Sequence, residues 1–435
     1  MLHFVNGRIT DEHMEMNPMA DHLFRHEAGR MVSILTRIFG TENLETAEDV
    51  VQETLIQAMQ TWKLTGPPEN PAAWLFRVAK NKAIDVIRRQ RHSISFDFSD
   101  HEKILLNSEY TLAVAMETIW QEESIEDDLL GMMFACCHPG LSGENQIALV
   151  LKTLCGFSTA EIAQAFLTSE DTVSKRLYRA KEFFRVEKIR PEIPADAELQ
   201  SRLGPVLDSI YLLFNEGYRS THNENAIRSD LMGEALLLSQ LLADNPHTRD
   251  PRVFALMALM CFHASRSGSR LDSEGALILL PDQNRGLYDA NLIGRGNAFM
   301  DQAASGDTMS AYHLEAAIAY EHCTAESYAA TDWPRILSYY EWLCRIAPNP
   351  MADLNRIIVA MQVHGPEAAL RELDALPDRN KLETHALFHA LSGEIHARLG
   401  DRERGREGFE AAIRLTQSDA ERKVLREKLG RLDLP

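Results

Sequence analysis

The stretch Ser158–Phe184, STAEIAQAFLTSEDTVSKRLYRAKEFF, decides how the chain is read. Ser158 and Glu161 stand at the spacing of a capping box, in which the hydroxyl accepts from a backbone amide and the carboxylate reaches back. The short helix they open carries Ile162, Ala163 and Phe166 as its apolar face. A break follows at Leu167-Thr168, and Thr168-Ser169-Glu170-Asp171 offers a second cap. The next helix sets Val173, Leu177, Ala180 and Phe184 on one stripe, spaced four, three and four, with Thr172, Lys175, Arg176 and Arg179 on its other face. Two helices, a tight turn and a basic outer face spell a helix-turn-helix, whose second helix enters a DNA major groove. A solvated face of an all-helical protein has the same look, so the rest of the chain must weigh in.

Working outward, charge is sorted along the sequence. The 435 residues hold 45 Lys+Arg against 64 Asp+Glu, a formal net charge of -19, which argues against a protein that coats nucleic acid unaided. Two basic islands stand out from that background. One is Arg77, Lys80, Lys82, Arg88, Arg89 and Arg91, interrupted only by Asp85; the other runs from Lys175 to Arg190 with seven cations against Glu182 and Glu187. Between them, Asp97 to Asp128 holds ten carboxylates against Lys103.

Nearly every segment has helical composition, and alternating β-branched runs are absent, so the fold class is all-α. Residues before Asp21 read as a Met-rich arm. A helix is expected from Asp21 to Phe39, ended by Gly40, and a second from Thr46 to Trp62. Gly66-Pro67-Pro68 breaks the chain, and a third helix starts at Pro71, the residue type favoured in a first helical turn. Trp62, Trp74 and Phe76 lie near the first island's cations; they suit stacking on single-stranded bases and, for Trp74 equally, plain core packing.

Other classes have little support. The longest apolar run, Val253 to Phe262, falls short of the about 18 residues that cross a bilayer, and Asp11, Glu12 and Glu15 are not the start of a secretory signal. Six cysteines without a CxxC make no disulfide framework, so a cytoplasmic location without membrane partners is expected. Cys136-Cys137-His138 invites a metal reading, but adjacent thiols chelate one tetrahedral ion poorly, and a buried apolar pair at a helix end is preferred. No GxxxxGK[ST], HExxH or GxSxG is present; no enzyme activity, metal or cofactor is expected.

The two islands together resemble regions two and four of a bacterial sigma factor of the extracytoplasmic-function type. The resemblance is carried by Ala47-Glu-Asp-Val-Val-Gln-Glu-Thr-Leu55 and Asn70-Pro-Ala-Ala-Trp-Leu-Phe-Arg-Val-Ala-Lys-Asn-Lys-Ala-Ile-Asp-Val-Ile-Arg-Arg89. It continues in Glu161-Ile-Ala163 and in Thr172-Val with Arg176-Leu-Tyr-Arg-Ala180. Leu167 departs from the pattern, standing where many such turns carry Gly. The resemblance implies residues 1–20 as an arm, 21–92 as a region 2-like domain, 93–127 as an acidic linker and 128–190 as a region 4-like domain. It implies core RNA polymerase and promoter DNA as partners, with Asp49, Gln52 and Glu53 gripping the polymerase through charge-assisted pairs. Arg77, Lys80, Asn81, Arg88 and Arg89 would engage the minus-ten element as single strand, Asn81 presenting its carboxamide to an extruded base and Arg88 and Arg89 holding phosphates. Thr172, Ser174, Lys175, Arg176 and Arg179 would enter the minus-thirty-five duplex.

Residues 191–435 exceed what such a factor needs. They are helical, and setting Ala386 first in a tetratricopeptide unit of about 34 residues puts Gly393 at eight, Gly405 at twenty, Phe409 at twenty-four and Ala412 at twenty-seven, where that repeat needs small or aromatic side chains. Phe134-Ala-Cys-Cys-His-Pro139, Tyr211–Tyr218, Leu280-Pro-Asp-Gln-Asn-Arg285 and Asp332-Trp333 resemble marks of a sigma subgroup with such an extension. That implies an extension that regulates the factor within its own chain and engages some protein or ligand. A one-component helix-turn-helix regulator with an effector-sensing repeat domain, or a tetratricopeptide scaffold without DNA, are the alternatives.

Overall fold

A computed structural model describes residues 18–90, 122–165, 168–218, 228–272, 277–306, 308–377, 379–416 and 419–432. These form helices and connecting turns, with one isolated antiparallel bridge, Leu271 to Leu277, and no strand among the described residues. The chain divides into two units, Met1–Val206 and Leu207–Pro435.

In the first unit, α1 (Pro18–Phe39), α2 (Leu44–Thr65) and α3 (Pro71–Gln90) pack on one another. Gly40 ends α1 with φ 84, a conformation that a side chain would strain, and Gly66 closes α2 with φ 76. The second helix begins two residues before Thr46 because a 3-10 turn, Thr41–Asn43, feeds directly into it. Ile34, Leu35, Phe39, Ala47, Ala58, Leu75 and Ala79 make the shared core. A helix from Glu122 to Cys136 (α4) follows, so the carboxylates from Glu122 onward are helical; the acidic stretch before it, and the arm before Pro18, lie outside the described residues.

Then come α5 (Gly143–Thr153), α6 (Thr159–Ala165) and α7 (Glu170–Glu187). The capping box is present: the Glu161 N–H donates to Ser158 Oγ at 3.1 Å and the Ser158 N–H to Glu161 Oε2 at 2.8 Å. Phe166 and Leu167 lie outside the described residues. The second cap falls on Ser169, whose hydroxyl accepts from the Thr172 N–H at 3.2 Å. Val173, Leu177, Ala180 and Phe184 are all buried, as their spacing predicts.

The second unit stacks helices from α8 (Asp196–Tyr218), within which the division falls, through α9 (Ser229–Asp244), α10 (Pro251–Ser265), α11 (Ala290–Ala303), α12 (Ala311–Thr324), α13 (Trp333–Ile346), α14 (Pro350–His364), α15 (Pro366–Asp374), α16 (Arg379–Leu382), α17 (Ala386–Arg398) and α18 (Arg402–Leu415) to α19 (Asp419–Leu432). The apolar run Val253–Phe262 is the wholly buried body of α10. Among the described residues no helix is long and apolar enough to cross a membrane. Where α17 meets α18, a Cβ on Gly408 would come within 2.6 Å of Gly393 Cα, so only glycines permit that crossing; Phe409 and Ala412 are buried beside it. The Arg285 guanidinium donates to the carbonyls of His322 and Ala325 at 2.5 and 2.9 Å, closing the C-terminal end of α12. Asp332 caps α13, and Trp333 packs edge-on against Tyr328 and His322. Burial, with Arg266 and Arg285 nearby, lowers His322 to about 4 and keeps it neutral.

Candidate nucleic-acid interface

The face of α7 opposite its buried stripe is open. Ser174, Lys175 and Arg179 are exposed, and Thr172 and Arg176 half-buried. Lys175 Nζ pairs with Asp171 Oδ2 at 2.7 Å, and Arg176 Nη2 with Glu144 Oε2 of α5 at 2.5 Å. Arg179 has no hydrogen-bond or ion-pair partner among the described residues. The Lys175 pair is exposed on both sides and worth only about 0–1 kcal/mol, so a phosphate or a guanine edge can displace Asp171 at small cost. Two contributors were not legible beforehand. Tyr178, 69% exposed, sets an aromatic ring among these cations, and Glu144 orients Arg176 from another helix, which no local pattern announces.

On α3, Arg77, Asn81 and Arg88 share one helical stripe and are exposed; Arg89 is exposed and Lys80 half-buried to either side. Arg88 lies 3.7 Å from Asp85 Oδ1, and the Arg89 Nε donates to the Asp85 carbonyl at 3.2 Å. On α2, Asp49, Gln52 and Glu53 are all exposed. Glu53 Oε2 accepts from Lys82 Nζ at 3.1 Å, and Asp49, Glu53, Lys82 and Arg89 line one groove between α2 and α3. The structure thus brings carboxylates and cations of the first module to one edge, while Gln52 stands outside that groove.

The half-buried aromatic side chains contact other rings and a cation within their own module. Trp62 lies 5.4 Å from Phe24 and 5.5 Å from Trp74 between ring centroids, and the Arg30 guanidinium covers Phe76 at 5.5 Å. Cys136 and Cys137 are buried, and burial together with the neighbouring Cys137 pushes the Cys136 thiol well up. Among the described residues no three His, Cys, Asp or Glu side chains are grouped to hold an ion.

A helical module with a basic third helix, followed by a helix-turn-helix with a second basic face, defines a promoter-recognition architecture. Family models match accordingly: sigma-70 region 2 over residues 23–93, sigma-70 region 4 over 131–184, and a family of unknown function, DUF6596, over 202–304. The chain is 36% identical over 390 residues to an uncharacterized protein of Rhizobium meliloti, covering 90% of each. It is 33% identical over 147 residues to the ECF RNA polymerase sigma factor SigL of Mycobacterium tuberculosis, covering 34% of this chain and 76% of SigL. With the RNA polymerase sigma factor SigV of Bacillus subtilis the identity is 22% over 152 residues, 35% of this chain and 81% of SigV. No solved structure matches. The chain belongs to the extracytoplasmic-function sigma factors of the sigma-70 family, with a helical C-terminal part beyond the two sigma regions.

Proposed function

We propose that this protein binds core RNA polymerase and directs promoter-specific initiation, with the residues after Arg190 regulating it in the same chain. What supports the reading most is that α3 and α7 both keep a cationic face in solvent while burying the opposite one. Asp49, Gln52 and Glu53 dock α2 on the polymerase, carboxylates meeting a surface rich in Arg. Asn81 pairs with an extruded minus-ten base, and Arg77, Lys80, Arg88 and Arg89 hold the strand's phosphates. Thr172, Ser174, Lys175, Arg176 and Arg179 read or hold the minus-thirty-five duplex, where a bidentate Arg–guanine contact discriminates by about 1–3 kcal/mol. The polymerase performs the chemistry; the factor supplies location and strand capture.

Transcription in vitro from a promoter library, with purified core polymerase and either the full chain or residues 1–190, tests both halves. Promoter-selective initiation by the full chain supports the first, and altered activity on truncation the second. Unchanged activity and regulation without the extension removes the regulatory half, and operator binding to duplex DNA without polymerase favours a one-component regulator.

A further inference from the structure

Within the first unit the two modules are packed against each other. Arg25 of α1 donates to Glu161 of α6 at 2.9 Å and covers the Phe157 ring at 5.9 Å. Burial alone would raise the Glu161 carboxyl, but Arg25 and the Ser158 amide and hydroxyl hold it down to about 2, so it is fully charged against Arg25 at neutral pH. Lys181 of α7 pairs with Glu48 of α2, one residue before Asp49. Gly29 of α1 lies so near the Leu154 carbonyl that an added Cβ would come closer than 3.0 Å. Arg37 of α1 meets Asp128 of α4 at 3.1 Å.

The segment leading out of α7 joins this contact. The Thr41 hydroxyl, between α1 and α2, donates to the Ile189 carbonyl at 2.5 Å. Two residues on, the Pro191 carbonyl sits where a Cβ on Gly131 of α4 would be. Residues 189–191 therefore touch both modules immediately before the extension begins.

A compact body of about 190 residues has a radius of gyration of about 16 Å and is about 40 Å across. Promoter elements centred about 25 base pairs apart are separated by about 85 Å, at about 3.4 Å per pair. The packed arrangement cannot reach both. We infer that the first unit is a closed, self-restrained state, held by Glu48–Lys181 and Arg25–Glu161 and strapped by Ile189–Pro191, which must open for promoter engagement. The strap makes the extension the lever on that opening. This rests on the sigma-factor reading above, and it concerns a contact that the reading does not require.

Carbodiimide coupling of the full chain tests it, because that reagent joins a lysine and a carboxylate already in contact. Lys181–Glu48 should be recovered as a linked peptide pair from the free protein and fall at least tenfold in the complex with core polymerase and promoter. The Lys428–Glu394 pair in the second unit, at 2.7 Å, serves as the internal reference. Lys181→Glu should raise transcription severalfold at limiting factor, Glu48→Lys added to it should restore the wild-type level, and Gly131→Ala should act like Lys181→Glu by displacing the strap. An undiminished Lys181–Glu48 link in transcribing complexes, or no response to either Lys181→Glu or Gly131→Ala, overturns the inference. A link that forms in a chain that no variant makes bind polymerase overturns the sigma-factor reading, and the gate with it.

Discussion

Replacing Gly29 by alanine separates closure from folding. Gly29 is buried within α1, where alanine is intrinsically favoured by about 0.5–1 kcal/mol, so the helix itself gains. The new methyl group meets the Leu154 backbone carbonyl at the end of α5, which has no rotamer to move aside. Overpacking of this kind costs about 1–3 kcal/mol, and only the packed arrangement bears it. The open population should therefore rise by about 5–150-fold, and the apparent affinity of the factor–polymerase complex for promoter DNA should rise with it, up to the point where opening no longer limits engagement. Fluorescence anisotropy of a labelled promoter duplex titrated with core polymerase and factor reads the change, and thermal unfolding checks that the chain stays folded. Unchanged promoter affinity in a folded Gly29→Ala protein would refute the reasoning, because the clash would then be absorbed without parting the modules.

Further consequences follow from single residues. Arg179→Ala should leave thermal stability unchanged, since the side chain is exposed and without a partner among the described residues, and should weaken minus-thirty-five duplex binding in filter binding or gel shift. A uniform loss across sequences with a shallower salt dependence marks a phosphate contact; a loss confined to one base pair, about 1–3 kcal/mol, marks a base contact. Asp128 is raised to about 7, chiefly by burial, with Asp127 adding and Arg37 opposing. Its folded form holds a proton that the unfolded chain releases near pH 4, so this stabilisation is full below pH 4 and fades as pH rises through 7, by order 4 kcal/mol. Denaturant midpoints should fall between about pH 4 and 7 in the wild type and stay flatter in Asp128→Asn; equal slopes would contradict this. Gly408→Val should destabilise the α17–α18 pair by about 1–3 kcal/mol, read as early loss of amide protection there, while α7 keeps its protection.

The sequence carried the local elements well and the tertiary partners poorly. The stripe Val173, Leu177, Ala180 and Phe184 announced α7 because helical spacing is a local property, and Gly40 and Pro71 announced boundaries because each restricts backbone torsions directly. Asp49, Gln52, Glu53 and Asn81, which the resemblance rather than periodicity singled out, are all exposed. Trp62 and Trp74 remained ambiguous in sequence because an aromatic near cations packs or stacks according to what α1 presents, and Phe24 decides that from far upstream. Glu144 beside Arg176, Glu48 beside Lys181 and Glu161 beside Arg25 join residues from 32 to 136 positions apart. No periodicity encodes such pairs. Gly29 and Gly131 are likewise set by the Leu154 and Pro191 carbonyls that face them, contacts that no local pattern encodes.

The most direct measurement is runoff transcription by purified core polymerase supplied with the full-length chain, on a randomised promoter library. Initiation concentrated on templates sharing two conserved elements, lost when Asn81 and Arg179 are both replaced by alanine, is the predicted outcome. Initiation no more selective than core polymerase alone, with the folded chain present in excess, would contradict it.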